Sequence, residues 1–268
     1  MYKLYNSVPG RIILKLLTIP ALSKAAGWFL DKRISRFLIP SFIRSNDISL
    51  DEVEEKQWKS FNDFFTRKLV NGAREIDMTP EAFVAPCDGL LTVHDIVDGA
   101  IIPVKNVPYT VLDLLGNRSL AKYYDGGTAL VFRLTPSHYH RYVYPDGGEK
   151  TRDVIIEGVL HTVQPVATEA TDVYIQNTRN YCVLKSENFG SMIFMQVGAL
   201  LVGRIVNNDP DGASVCRGDE AGKFEFGGST IIVLVKKGKV KIKKDIKKAS
   251  ASGIEYPVKL GMNIGKKK

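Results

Sequence analysis

Near the end of the chain stands Phe224-Glu225-Phe226-Gly227-Gly228-Ser229-Thr230-Ile231-Ile232-Val233-Leu234-Val235. The apolar, β-branched run from Ile231 predicts a buried strand. Two glycines followed by two hydroxyl residues are an unusual way to enter one, because glycine brings no side chain to pack and weakens a strand interior. Two readings are open. One is a bulge or tight turn that feeds the last core strand. The other is a reactive peptide bond: glycine permits a strained backbone, and the Ser229 hydroxyl stands next to an exposed carbonyl.

Working outward, strand periodicity begins at about Phe83. The expected strands are 83–85, 90–96, 101–104, 129–134, 154–160, 180–185, 192–197, 200–206 and 224–235, with helical interruptions at 111–115 and 120–124. Turns rich in Asp and Gly separate them: Asp125-Gly126-Gly127, Asp146-Gly147-Gly148 and Asp211-Gly212. Many short strands at this spacing predict a β-sandwich or partly closed barrel of mainly antiparallel strands. A helical, basic and apolar segment precedes them, so the class is α+β. The chain divides into 1–75, a membrane-associating helical segment, and 76–268, the β-rich body.

In the first segment Ile12-Ile13-Leu14-Lys15-Leu16-Leu17 mixes apolar and basic residues. Phe29, Leu30, Ile34, Phe37 and Leu38 then recur at roughly helical spacing, with Lys32, Arg33 and Arg36 between them. Cations opposite Trp28, Phe and Leu fit a helix lying in a membrane interface; a helix packed on its own domain gives the same pattern. A short polar helix is expected at 49–59. Ser60-Phe61-Asn62-Asp63 has the form of a capping box, Phe61, Phe64, Phe65 and Leu69 form a core stripe, and Arg67 and Lys68 suit the helix's C-terminal end.

The formal charge of +8 suggests an anionic partner: nucleic acid, an anionic membrane or a phosphorylated substrate. No basic strand with interleaved aromatics and no recognition helix supports nucleic acid. No run reaches the length of a membrane span, and no secretory signal is visible. Cys87, Cys182 and Cys216 are odd in number and lack metal-ligand spacing, which fits a reducing cytosol.

The chemistry-bearing residues are few. His138 and His140 lie in Pro136-Ser137-His138-Tyr139-His140-Arg141 after an expected strand; extended backbone puts both imidazoles on one face and Arg141 on the other. No further ligands with metal-site spacing follow, so no metal is expected. Pro86-Cys87-Asp88-Gly89 is either a hairpin turn or the place where Asp88 orients a histidine. One Asp, one or two His and a Ser flanked by Gly are what activating a hydroxyl requires. A nucleophile elbow is a poor fit, because Ile231 stands where its second glycine belongs and a strand follows.

These pieces together resemble phosphatidylserine decarboxylase proenzymes. The likeness rests on residues 61–69 (Phe-Asn-Asp-Phe-Phe-Thr-Arg-Lys-Leu), Pro86-Cys87-Asp88-Gly89, Tyr139-His140-Arg141, Ser186-Glu187-Asn188-Phe189-Gly190, Val197-Gly198-Ala199 with Val202-Gly203, and Phe226-Gly227-Gly228-Ser229-Thr230, in this order. The resemblance implies self-cleavage between Gly228 and Ser229 into a large and a small chain. Ser229 then becomes a covalent pyruvoyl group, the cofactor, which forms a Schiff base with phosphatidylserine and releases CO2 to give phosphatidylethanolamine. It implies Asp88 and a histidine as the base system, with His140 first. It further implies a peripheral enzyme on the cytoplasmic face of an anionic cell membrane, often a homodimer. The sequence departs from the family at Val143, where many relatives carry a second histidine. The cleavage base is then His140, His138 or the outside candidate His161. The alternative is a processing-deficient, membrane-binding relative without activity.

Overall fold

In the first described stretch, apolar residues give two short helices, α1 (Pro20–Leu30) and α2 (Ile39–Ser45), joined by a 3-10 turn at Arg33–Leu38. Pro40 sits in the first turn of α2, where its missing N–H costs no hydrogen bond. Helix α3 (Phe61–Phe65) starts where Ser60 Oγ accepts from Asp63 N at 3.1 Å, and Asp63 reaches back to accept from Lys59 N at 2.8 Å. The computed structural model describes residues 20–55, 57–104, 107–158, 177–198, 204–226 and 229–268. Gly227, Gly228, His161, Ala199, Val202, Gly203 and the 12–17 run lie outside the described residues, as do the later part of the 154–160 strand and most of the 200–206 strand.

From Ala82 the chain becomes strands: β1 (Ala82–Val84), β2 (Gly89–Asp95), β3 (Ile102–Val104) and β4 (Val107–Tyr109). Helices α4 (Val111–Leu115) and α5 (Arg118–Tyr123) follow, then β5 (Thr128–Leu134), β6 (Arg141–Val143), β7 (Gly148–Lys150), β8 (Val154–Ile156), β9 (Arg179–Ser186) and β10 (Gly190–Val197). The chain ends with β11 (Ile205–Asn207), β12 (Ala213–Val215), β13 (Glu220–Phe224), β14 (Ser229–Val235), β15 (Val240–Ile242), α6 (Lys244–Ala251), β16 (Tyr256–Val258) and β17 (Asn263–Lys267).

The largest sheet runs β12-β7-β9-β10-β14-β5-β2-β16, with β8 also on β9, and its pairs are antiparallel. Strand β14 lies between β10 and β5, with Thr230 opposite Val197 and Ser229 opposite Leu134. All seven of its residues are buried, so both faces of the sheet are covered there. Ile231 and Val233 pack with Leu91, Phe132, Tyr142 and Phe194, under the small sheets β1-β17-β15 and β11-β13-β6. Ile232 and Leu234 pack on the other face with Leu114, Val131, Tyr181 and Met195. Each such side chain contributes about 1.5–3 kcal/mol by leaving water. A third core joins Leu30, Ile39, Phe61, Phe64 and Phe65 to Phe226. The molecule is the expected α+β fold, rich in antiparallel strands with helices at its N-terminal side.

Three expectations are corrected. The single strand at 224–235 is two: Phe224 ends β13 in one sheet and Ser229 begins β14 in another. The 49–59 helix is absent; Val53 bridges Leu69 instead, with Glu54 N on Lys68 O at 3.1 Å and Val70 N on Glu52 O at 2.9 Å. That polar stretch has no apolar stripe to bury as a helix, whereas β-branched Val53 suits an extended pairing. His138 and His140 are not on a strand face, because His138 N closes a turn onto Thr135 O at 3.0 Å.

Candidate active site

Three strand ends meet at one edge of the large sheet. Asp88 immediately precedes β2, whose Leu90 lies opposite Arg133 of β5. A side chain at Gly89 would put its Cβ 3.0 Å from the Arg133 carbonyl oxygen, so the close approach of the two strands explains the Asp-Gly pair. Leu134, the last residue of β5, lies opposite Ser229, and the chain then turns through His138 to His140. The topology therefore brings Asp88, His140, His138 and Ser229 together at this edge. Asp88 is 5% exposed, and His140 and Ser229 are each 1% exposed.

The segment from Asn62 to Arg67 packs across this edge. Arg67 Nη2 donates to the carbonyls of Ser137 and His138 at 3.0 and 3.1 Å, while Arg141 Nε donates back to the Thr66 carbonyl at 3.0 Å. The two arginines thus tie the 66–67 and 137–141 segments to each other. The Phe65 ring lies 4.0 Å from the His140 ring, centroid to centroid. Asn62 Oδ1 accepts from Phe226 N at 3.2 Å, and the Phe226 ring packs on Phe42, Phe61 and Phe65. The chain before the glycine pair is held by this segment, and the chain after it by two β-ladders.

The two histidines differ in their hydrogen bonds. Thr135 N donates to His138 Nδ1 at 2.8 Å, so that nitrogen is the acceptor and the ring proton of the neutral form belongs on Nε2. His140 Nδ1 faces the His138 carbonyl oxygen at 2.9 Å, which can only accept. The His140 ring proton is thereby assigned to Nδ1, leaving Nε2 with an open lone pair. Nε2 is buried and has no hydrogen-bond partner among the described residues. Desolvation, reinforced by the nearby Arg67 charge, pushes the His140 pKa down to about 3. The imidazole is neutral throughout the physiological range.

Among the described residues no hydrogen bond joins Asp88 to His140. The Asp88 carboxylate is gripped by Arg74, with Nε and Nη2 at 2.9 and 2.7 Å, and accepts from Leu260 N at 2.9 Å. Arg74 in turn holds Glu52 at 2.7 Å. Burial lowers the His138 pKa, and Asp88's charge opposes that shift, so Asp88's field falls on His138. Cys87 is fully buried, and desolvation pushes its thiol pKa far up, which suits a packing role and not a nucleophile. Val143, also buried, donates its N–H to the Pro86 carbonyl at 2.9 Å.

The sequence reading missed Arg67, Arg74 and Asn62. Arg67 was expected at a helix end with its charge on the dipole. The helix stops at Phe65, and Thr66 caps it through its N–H to the Asn62 carbonyl, so Arg67 turns inward. The Ser186-Glu187-Asn188-Phe189 motif serves Asp146, which accepts from Ser186 Oγ, from Asn188 N at 3.1 Å and from Arg217 Nη2 at 2.8 Å.

A sequence profile of the phosphatidylserine decarboxylase family matches residues 61–266, a span that contains Asn62, Arg67, Arg74, Asp88, His138, His140 and Ser229. The chain belongs to the phosphatidylserine decarboxylase family. It is 42% identical over 263 residues to phosphatidylserine decarboxylase proenzyme 2 of Clostridium acetobutylicum, covering 98% of this chain and 90% of that protein. It is 40% identical over 269 residues to a phosphatidylserine decarboxylase proenzyme of Clostridium botulinum strain Hall, covering 98% and 91%. A proenzyme of the same description from Ruminiclostridium cellulolyticum is 38% identical over 267 residues, covering 98% and 89%. This is a family of decarboxylases, and the chain is an enzyme of that class.

Proposed function

We propose that this chain is a precursor that cuts itself between Gly228 and Ser229 and then decarboxylates phosphatidylserine to phosphatidylethanolamine and CO2. Family membership supports the decarboxylation, and the relatives' designation as proenzymes supports the cut. The observation that carries the reading is a buried serine opening a strand at the sheet edge that also holds a neutral imidazole with an unused lone pair, His140 Nε2.

Ser229 Oγ gives its proton to His140 Nε2 and attacks the Gly228 carbonyl carbon. The C–N bond breaks, the Ser229 nitrogen takes the proton from His140, and an ester remains on Oγ. Loss of the Ser229 Cα proton then expels the Gly228 carboxylate. Addition of water and departure of ammonia leave a pyruvoyl group at the head of the small chain. His140 is favoured over His138 because His138 Nδ1 is already occupied. Arg67 beside His140 opposes an imidazolium, which favours prompt return of the proton and makes the cut slow.

The pyruvoyl carbonyl supplies an electron sink coupled to the substrate amine, drawing electrons from the bond to the departing carboxylate. The site fits such a group, because a buried polar atom there, His140 Nε2, lacks a hydrogen-bond partner among the described residues. His140 Nε2 would take the proton that the substrate's ammonium gives up and would deliver it to carbon after CO2 leaves. The surrounding phenylalanines exclude water. The small chain stays bound after cleavage, since β14 is laddered to β10 and β5, β16 to β2 and β17 to β1.

A lipid substrate calls for docking on an anionic membrane, peripherally and on its cytoplasmic face. Trp28, Ile34 and Phe37 are each more than half exposed, with Lys32, Arg33 and Arg36 around them. Apolar anchors ringed by cations suit the headgroup boundary. Among the described residues no helix is long and apolar enough to cross a membrane. The test is CO2 release from vesicles containing phosphatidylserine. Wild-type protein should release it and Ser229→Ala should not. Membrane binding without CO2 release would favour the processing-deficient reading that Val143 motivates.

A further inference from the structure

Arg67 is buried yet only partly used. Its Nη2 serves two backbone carbonyls, but Nε and Nη1 have no hydrogen-bond partner among the described residues. The other deeply buried arginines differ. Arg217 is spent on Asp146 and the carbonyls of Asp77, Thr79 and Pro80, and Arg179 on Leu114, Asn177 and Asp113. A desolvated guanidinium with open N–H groups is costly, and a fold that retains one calls for an oxygen-rich anion to fill it. The guanidinium lies against the 137–138 turn and over the Phe64 ring of the phenylalanine cluster, 5.4 Å from its centroid, and its charge acts on His140.

We propose that Arg67 recognises the phosphodiester of the lipid headgroup through Nε and Nη1, an inference that rests on the phosphatidylserine reading above. The headgroup carries two anions. The carboxylate must lose its charge as CO2 departs, so a guanidinium against it would stabilise the ground state and raise the barrier. The phosphodiester keeps its charge throughout, and binding it lowers KM without opposing the chemistry. Arg67 is therefore a specificity residue that holds the lipid by the group that does not react. It leaves the carboxylate to the apolar surface of Phe65 and to neutral His140.

The test uses purified, self-cleaved protein with two soluble probes: glycerophosphoethanolamine, which has the phosphodiester and no carboxylate, and L-serine, which has the reverse. Arg67→Gln should still cleave at Gly228–Ser229. It should weaken inhibition by glycerophosphoethanolamine by about tenfold or more, with inhibition by L-serine unaffected and the loss falling on KM more than on kcat. Arg67→Lys should lie between, since a point charge replaces part of the guanidinium's function. In the wild type, glycerophosphoethanolamine should outcompete ethanolamine by a similar factor, an arm that needs no variant. Selective weakening of L-serine would overturn the proposal in favour of the carboxylate. Equal inhibition by glycerophosphoethanolamine and ethanolamine would also overturn it, as would accumulation of uncut precursor in both variants. A wild type that releases no CO2 would instead overturn the reading beneath it.

Discussion

Two buried polar clusters in this molecule behave oppositely. Around Asp146, the side chains of Ser186, Asn188 and Arg217 converge on one carboxylate, and no buried polar atom among them lacks a partner. Burial alone would raise the Asp146 pKa, but the hydrogen bonds from Ser186, Arg217 and Asn188 outweigh it and hold the carboxyl below its ordinary value. At the Ser229 edge, Arg67 Nε and Nη1, His140 Nε2 and Thr230 Oγ1 are all buried without hydrogen-bond partners among the described residues. Saturated networks fix architecture, whereas unpaired buried groups are expensive and persist where chemistry or a ligand uses them. The first cluster holds a loop; the second, on the proposed function, is where a proton, an anion or a carbonyl would be met.

The contrast can be broken by substitution. The largest effect expected is in His140→Gln, which should slow self-cleavage by roughly 10²–10⁴-fold as general-base catalysis is lost, with the thermal midpoint preserved. A cut at wild-type rate in this variant would remove His140 from the mechanism. Next, Asp146→Ala should cost about 3–5 kcal/mol in denaturant unfolding, because it strands the Arg217 charge in the interior. A loss under about 1 kcal/mol would mean that the cluster is not architectural.

Acidification should separate the two regions. Folded His140 stays neutral down to about 3, while in the unfolded chain it takes a proton below about 6.5, so between these values the unfolded state binds more protons. Stability should fall with pH across that window, by at most about 1.4 kcal/mol per pH unit from this residue. His138 and His94, also lowered by burial, add the same sign. Asp146, lowered from its ordinary value, contributes stability that is lost only below about pH 4. The unfolding free energy of His140→Phe measured against pH should show a shallower slope between pH 4 and 6 than wild type. An unchanged slope would contradict the burial argument. The smallest effect, about 1 kcal/mol, is expected for Asn62→Ala, which loses its bonds to Phe226 N and Asp31. If the glycine-pair entrance depends on that tether, cleavage should slow along with it.

Long apolar strands were legible because period and composition agree. Strands β2, β5, β9, β10 and the buried run of β14 fall where the pattern places them, as does α4. Short elements in lysine-rich sequence were not. Strands β15 and β17 and helix α6 each bury only a few residues, among them Ile242, Ile246 and Ile264, and their exposed lysines hide the period. At the site, residue types and order pointed to Asp88, His140 and Ser229, and the fold brings them to one sheet edge. Their partners were not visible, because the Arg74–Asp88 grip joins two residues outside any helix or strand and the clasp by Arg67 and Arg141 joins segments 70 to 75 residues apart. Where the helix would stop decided Arg67's role. The helix ends after five residues, and Arg67 is buried beyond it.

The account's central claim is that the bond before β14 is built to break, and the intact mass of the purified protein tests it most directly. Wild type should resolve into a large chain ending at Gly228 and a small chain spanning 229–268 with a blocked N-terminus, while Ser229→Ala should remain one chain of 29.8 kDa. A wild type that stays at 29.8 kDa after prolonged incubation, or a Ser229→Ala variant that still yields two fragments, would contradict it.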